Sequence, residues 1–270
     1  MLLYIICLVV LGLPAMTMEF SVGRAAQASP IRMYQKLEKP GCKWGIFGIA
    51  SLIGNIALMA FYTVVTGWII YYFIKFLTGQ NADFGFTQMI TNPTVNVVFL
   101  LVTVVVAFAI LSFNLQGGLE RITKYMMLAL LVLMLVLAVH SLPLPGAAEG
   151  LKFYLVPDFA AMKEIGIGNV IFGALSQAFF TLSIGAGSMT IFGSYLGKDR
   201  SLLGESLHIT ILDTFVALMA GLIIIPACFA FGVEPGAGPG LVFITLPNVF
   251  NQMTGGKIWG ALFFLFMSFA

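Results

Sequence analysis

The sequence has few charged residues and few cysteines, and both shortages limit what the protein can be. Only 9% of its 270 residues are charged, whereas a soluble domain carries about 25%. Too few charges are therefore available to cover a water-exposed surface. The three cysteines are widely spaced, and two lie in apolar runs, so they support neither a disulfide framework nor a metal site. The net charge of +2 comes from dispersed basic residues and does not indicate nucleic acid as a partner.

Long apolar runs dominate what is present. Hydrophobic residues make up 60% of the chain, and the mean hydropathy is +1.03. Runs of about 20 residues recur, which is the length that crosses about 30 Å of hydrocarbon. We therefore expect an all-α integral membrane protein, with residues 1–270 forming a single transmembrane domain. The predicted spans are residues 1–23, 44–77, 95–113, 122–141, 168–196, 206–231 and 258–270, the last too short to cross a bilayer.

Basic residues in the connections predict the orientation. They concentrate after the first, third and fifth spans, which indicates that these connections are cytoplasmic and that Met1 lies outside. Transporters usually keep their N-terminus inside, so we expect the chain to be a fragment that lacks an odd number of preceding helices, most simply one. The long outer connections, residues 142–167 and 232–257, are predicted to be lids, with flexible linkers as the alternative.

The stretch from Gln177 to Ser188 indicates a break in the fifth span. Thr, Ser and Gly follow one another at its middle, where lipid cannot satisfy a freed backbone. Discontinuous helices solve this by pointing open carbonyls at a cation and a half-helix N-terminus at an anion. The pattern suits a zwitterion transported with a cation. The alternative is that Gly185 and Gly187 only allow close helix packing.

Other polar residues lie deep in apolar runs, namely Glu19, Asn55, Tyr62 and Asp213. A carboxylate inside a bilayer costs several kcal/mol unless it is paired or bound to an ion, so a functional use is the default hypothesis, more strongly for Asp213. For Glu19 the alternative is a structural role, pairing with Arg24 or capping a neighbouring helix. Tyr62 has the alternative of an ordinary buried tyrosine with a backbone partner.

Several ordered motifs resemble the neurotransmitter:sodium symporters, specifically their bacterial amino-acid members. The resemblance runs through nearly the whole chain. It rests on Gly12-Leu13-Pro14, Glu19 to Arg24, Ala60-Phe61-Tyr62 with Gly67-Trp68, Gln177 to Gly187, and Pro235 to Phe243 followed by Leu246-Pro247.

The resemblance implies an inverted-repeat fold of two five-helix halves in the cell membrane, inner or plasma. This chain would hold family helices two to eight, the last one partial. The implied function is symport of sodium with an amino acid or biogenic amine. The family's first helix, which supplies ligands for both sodium ions, has no counterpart, nor do the last helices. We therefore expect the chain alone to be incomplete.

The resemblance also assigns roles to residues. Its implied substrate contacts are Tyr62, Leu58, Phe180, Ser183, Ile184 and Ala186. Its implied sodium ligands are Thr181, Asp213 and Ala270. Gln177 and Phe180 match the outer gate, and Tyr195 matches the inner gate.

Two departures from the family pattern shape the expected function. Asp213 lies near a position that is Asn in many members, and its fixed negative charge could replace the chloride that some require. We therefore predict that chloride is not required. Ala186 is small where members with small-substrate pockets can carry a bulkier side chain, so we predict a large hydrophobic or aromatic amino acid.

Two other functions stay open. One is a proton-coupled or uncoupled carrier on the same fold, with Asp213 or Glu19 titrating. The other is a non-transporting membrane scaffold. An enzyme is not indicated, because no set of nucleophile, base and orienting residue stands out. The sequence also leaves open a homodimer.

Overall fold

The computed structural model describes residues 1–80, 85–112, 119–236, 238 and 240–269. Within these ranges every regular element is helical, which confirms the all-α prediction. The elements are α1 (Leu2–Cys7), π1 (Leu8–Gly12), α2 (Leu13–Ala26), α3 (Pro30–Leu37), α4 (Gly45–Thr78), α5 (Phe86–Ile90), α6 (Pro93–Ser112), α7 (Leu119–Ser141), α8 (Ala147–Leu155), α9 (Phe159–Ile165), α10 (Ile167–Thr181), α11 (Ser188–Tyr195), α12 (Leu202–Phe231), π2 (Leu241–Thr245), α13 (Leu246–Gln252) and α14 (Gly256–Phe269).

Five helical stretches of the described chain are long and apolar enough to cross a bilayer. They are Leu2–Ala26, Gly45–Thr78, Pro93–Ile110, Lys124–Ser141 and Leu202–Phe231. Two further apolar helices, α10 and α14, are shorter. Many large apolar side chains stay exposed on these helices, and Val105 and Phe108 of α6 are 66% and 67% exposed. Such surfaces suit contact with lipid tails rather than water.

Two prolines each follow a π-helical segment. π1 ends two residues before Pro14, and π2 ends two residues before Pro247. Proline has no N–H to donate, and its ring crowds the carbonyl four residues earlier, which a wider π turn relieves. The carbonyl four residues before Pro247 belongs to Phe243. The Tyr72 hydroxyl donates to that carbonyl at 2.8 Å, so a side chain supplies the hydrogen bond that proline cannot.

The contacts divide the chain into two compact units. The first comprises Met1–Met59 and Leu155–Ala217, and the second comprises Ala60–Tyr154 and Leu218–Ala270. The prediction of one transmembrane domain stays a prediction.

The first unit depends on close packing of α2 against α11. Glycines make this possible, because a Cβ at Gly23 would collide with the Thr190 carbonyl and one at Gly193 with the backbone of Phe20. Its buried core is formed by α1, π1, α2, α10 and the residue that follows α10. The core residues are Cys7, Leu8, Met16, Phe20, Ala178 and Leu182.

The second unit has an aromatic core. Phe76 stacks on Phe264 with ring centroids 5.5 Å apart, and Phe243 stacks on Phe86 at 5.3 Å. Tyr72 is buried against Phe243 and Phe264, at 5.1 and 5.2 Å. Offset aromatic contacts of this kind add about 0.5–1.5 kcal/mol each beyond the burial of area. They join α4, α5, π2 and α14 within this unit.

Candidate functional site

The predicted break lies between α10 and α11, at residues 182–187. The end of α10 forms a Schellman motif. The Ile184 N–H donates to the Phe179 carbonyl and the Ser183 N–H donates to the Phe180 carbonyl, both at 3.0 Å. These bonds satisfy two carbonyls that the helix end leaves free. The chain therefore leaves the helix at a defined residue, although no glycine occupies the usual capping position.

Ser183 occupies that capping position in the left-handed region. Its φ is +52°, and it is one of two non-glycine residues with positive φ in the described chain. A side chain in this conformation costs about 1–2 kcal/mol. Gly187, with φ +79°, then begins α11 at no such cost. Backbone strain at Ser183 is thus part of the break.

Glu19 of α2 holds the middle of the break. Its Oε1 accepts a hydrogen bond from the Gly185 N–H at 2.6 Å. Of the two structural alternatives for Glu19, pairing with Arg24 is wrong. Arg24 instead donates to the carbonyls of Gly197 and Arg200, at 3.4 and 2.8 Å. Glu19 therefore compensates a backbone amide that the missing helical turn has freed.

Asn55 of α4 holds the far side of the break. Its side-chain amide donates to the Ala186 carbonyl at 2.5 Å and to the Ser51 carbonyl at 2.8 Å. Its Oδ1 accepts from the Ser188 hydroxyl at 3.1 Å. One side chain thereby binds residues on both sides of Gly187. Glu19 and Asn55 together fix the break from two different helices.

A second polar group lies where α10 ends. The Gln177 amide donates to the Thr181 hydroxyl at 3.2 Å. The Tyr4 hydroxyl lies near Thr181 and Asp213, and it has no hydrogen-bond partner among the described residues. Asp213 Oδ2 is buried and also has no hydrogen-bond partner among the described residues. The group therefore offers oxygen atoms that a hard cation such as sodium prefers.

The other predicted site residues are divided between the two compact units. The first unit contains the break residues Ser183, Ile184 and Ala186, together with Leu58, Phe180 and Tyr195. Phe180 and Tyr195 are exposed, at 58% and 84%. Tyr62 belongs to the second unit, where its carbonyl accepts from the Thr66 hydroxyl at 2.8 Å. Ala270 lies outside the described residues.

Sequence reasoning did not single out Tyr4, and it placed Ser188 in the predicted break without a partner on another helix. The signal for Tyr4 was a hydroxyl inside an otherwise apolar run, Leu2 to Val10. The signal for Ser188 was weaker, because a serine at a helix start usually serves the helix itself. Only the approach of Asn55 shows that the Ser188 hydroxyl points across to α4.

Comparisons with known proteins identify relatives of this chain. The sequence model of the sodium:neurotransmitter symporter family matches this chain over residues 1–85 and 80–270. An uncharacterized sodium-dependent transporter of Bacillus subtilis is 35% identical over 271 residues, covering 98% of this chain and 58% of the relative. One of Haemophilus influenzae is 33% identical over 279 residues, covering 97% and 60%.

A solved structure shows the same fold. The crystal structure of MhsT in complex with L-phenylalanine matches with a TM-score of 0.91 and 37% identity, covering 99% of this chain and 62% of MhsT. The chain therefore spans about 60% of the length of these relatives. With its apolar spans it is a multi-pass membrane protein. It belongs to the sodium:neurotransmitter symporter family.

Proposed function

We propose that the protein is a sodium-coupled symporter of an amino acid in the cell membrane. The observation that carries the proposal is the break between α10 and α11, held by Glu19 and Asn55. A helix C-terminus presents partial negative charge and a helix N-terminus partial positive charge. The two ends around residues 182–187 therefore suit a cation and the carboxylate of a zwitterion.

Sodium binds, in this proposal, at the group around Thr181 and Asp213. The hydroxyl of Thr181 and the buried carboxylate oxygen of Asp213 are oxygen ligands, and the charge of Asp213 offsets that of the ion. Gln177 orients the Thr181 hydroxyl by its hydrogen bond of 3.2 Å. Ala270 remains a predicted ligand.

The substrate we propose is a large hydrophobic or aromatic amino acid. Ala186 leaves room beside the break, and a Cβ at Gly185 would meet no atom within 4 Å. The exposed ring of Phe180 is available to cover a ligand at the end of α10. The bound L-phenylalanine of MhsT supports this substrate class. Tyr62, Leu58, Ser183 and Ile184 remain the other predicted contacts, with Gln177 and Tyr195 as gate residues.

Chloride is not required in this proposal, because the buried carboxylate of Asp213 supplies a negative charge near Tyr4. Uptake should continue when gluconate replaces chloride. The Asp213→Asn variant removes the charge, and its uptake should then depend on an added anion. Uptake by the unmodified protein that stops without chloride would contradict this assignment.

A proton-coupled carrier is the second candidate. It is favoured by two buried carboxylate oxygens, Glu19 Oε2 and Asp213 Oδ2, which have no hydrogen-bond partner among the described residues. A carboxylate left half-paired in a membrane can take up a proton at lower cost than a fully paired one. Sodium dependence separates the two candidates.

The test uses labelled L-phenylalanine and proteoliposomes. The chain is reconstituted alone and as a chimera extended at both ends with the corresponding helices of the Bacillus subtilis relative. Uptake that needs a sodium gradient supports the proposal. Uptake driven by a proton gradient without sodium supports the second candidate. Uptake by neither protein, with both correctly inserted, overturns transport and leaves a scaffold role.

A further inference from the structure

The connection between α2 and α4 is held in place by hydrogen bonds and a buried side chain rather than being a loose loop. We define the α3 platform as residues 29–44, which include α3. Within the platform, the side chain of Met33 is fully buried. The Lys36 ammonium donates to the Ala26 carbonyl at 3.0 Å, and Glu38 accepts from the Gly45 N–H at 3.3 Å. The platform is therefore fixed to the end of α2 and to the start of α4.

The outer side of the α3 platform combines cations with apolar groups. Arg32, Lys39 and Lys43 are exposed, and so are Leu37 and Trp44, at 45% and 61%. No ion pair to these three cations occurs in the part of the chain that the structure describes. The nearby carboxylate of Glu38 accepts from a backbone amide instead. The platform thus carries positive charge that its own contacts do not neutralise.

The position of this charge identifies its partner. Trp44 immediately precedes Gly45, where the spanning helix α4 begins, and tryptophan favours the boundary between hydrocarbon and headgroups. Cations next to a spanning helix are attracted to anionic lipids. We propose that the α3 platform binds the phosphate groups of anionic phospholipids through Arg32, Lys39 and Lys43, with Trp44 seated at the hydrocarbon boundary.

The arrangement favours lipid over a protein partner. Lysines such as Lys39 and Lys43 are depleted at protein–protein interfaces, so a protein partner suits this surface less well. A bilayer offers phosphates and hydrocarbon at adjacent depths, as the cations and the Trp44 ring require. Lipid binding by the α3 platform does not require transport, so a protein that fails to transport can still bind anionic lipid there.

Brominated lipids test the proposal on the whole chain. The protein is reconstituted in phosphatidylcholine vesicles that contain either brominated phosphatidylglycerol or brominated phosphatidylcholine at the same mole fraction. Tryptophan fluorescence is measured, and the Trp44→Phe variant gives the background of the other two tryptophans. The relative affinity of phosphatidylglycerol over phosphatidylcholine, measured from quenching of Trp44, should rise about fivefold for each cation in contact with the lipid. Added salt should reduce this preference.

Variants locate the charges. The triple variant R32Q/K39Q/K43Q should lose the preference, whereas K152Q/K163Q, which removes two exposed lysines from other connections, should retain it. Equal quenching by the two lipids in the unmodified protein overturns the proposal, and so does a preference that survives in the triple variant. If the triple variant does not reconstitute, the salt titration decides, and a preference that salt leaves unchanged counts against the platform.

Discussion

Replacing Asn55 by leucine should loosen the break between α10 and α11 without unfolding the protein. Leucine has the same branched shape and the same number of side-chain heavy atoms, but it can make neither the hydrogen bond to the Ala186 carbonyl, at 2.5 Å, nor the one to the Ser188 hydroxyl, at 3.1 Å. The bond to the Ser51 carbonyl lies within α4 and matters less, because a helical carbonyl keeps its backbone partner.

The magnitude follows from two lost long-range hydrogen bonds. Each is worth about 1 kcal/mol net, so local opening of the break should become easier by about 2 kcal/mol, or about 30-fold. Aspartate at position 55 should cost more, because its carboxylate would face the Ala186 carbonyl with no hydrogen to donate.

Hydrogen exchange followed by mass spectrometry measures the effect. Amides in the peptide containing residues 182–188 should exchange faster in the Asn55→Leu variant, and the proposed sodium-dependent binding of an amino acid should weaken. The matched control is Asn169→Leu, because the Asn169 amide, at the start of α10, makes a local hydrogen bond to the Ile165 carbonyl, four residues earlier, at 3.0 Å. Unchanged exchange in the Asn55→Leu variant, or an equal change in the control, would refute the reasoning. A cycle with Ser188→Ala should show coupling between the two residues.

Three further predictions concern stability, measured by thermal unfolding in detergent. Ser183→Gly should stabilise by about 0.5–1 kcal/mol, because relief of the positive φ exceeds the added entropy of the unfolded chain, whereas Ser21→Gly inside α2 should destabilise. A stabilised Ser21→Gly variant would contradict that argument. Tyr72→Phe should cost about 1–3 kcal/mol by leaving the Phe243 carbonyl without its partner, and Tyr125→Phe, at an exposed position, should cost nothing measurable. Equal effects of the two would show that the bond to Phe243 is unimportant. Gly23→Ala should cost about 1–3 kcal/mol through collision with the Thr190 carbonyl, while Gly54→Ala, which meets no atom within 4 Å, should be neutral or stabilising. A neutral Gly23→Ala variant would show that α2 and α11 can separate without cost.

The break was predictable because its cause is local. Ser183, Gly185 and Gly187 lower helix propensity at the middle of an apolar run, and the structure places all three between helices. The residues that stabilise the break were less predictable. For Glu19 the sequence left Arg24 and a neighbouring helix as alternative partners, because a side chain can reach either and only the fold brings Gly185 within 2.6 Å.

The polar residue Tyr4 illustrates the same limit. Its hydroxyl is one polar atom in an apolar run, and its neighbours Thr181 and Asp213 are far away in sequence. Nothing local distinguishes it from an interfacial tyrosine. Tyr62 and Ala270 remain predictions from the family resemblance, since Tyr62 belongs to the second unit and Ala270 lies outside the described residues.

By itself the sequence determined that the protein lies in a membrane, that it is helical and that one helix is interrupted. These properties depend on composition and on propensities within a few residues. Only the tertiary structure decided that Glu19 and Asn55 hold the interruption and that Tyr72 completes the hydrogen bonding before Pro247. The reason is that these partners lie 131 to 171 residues apart, and a hydrogen bond depends on distance in space rather than on separation along the chain.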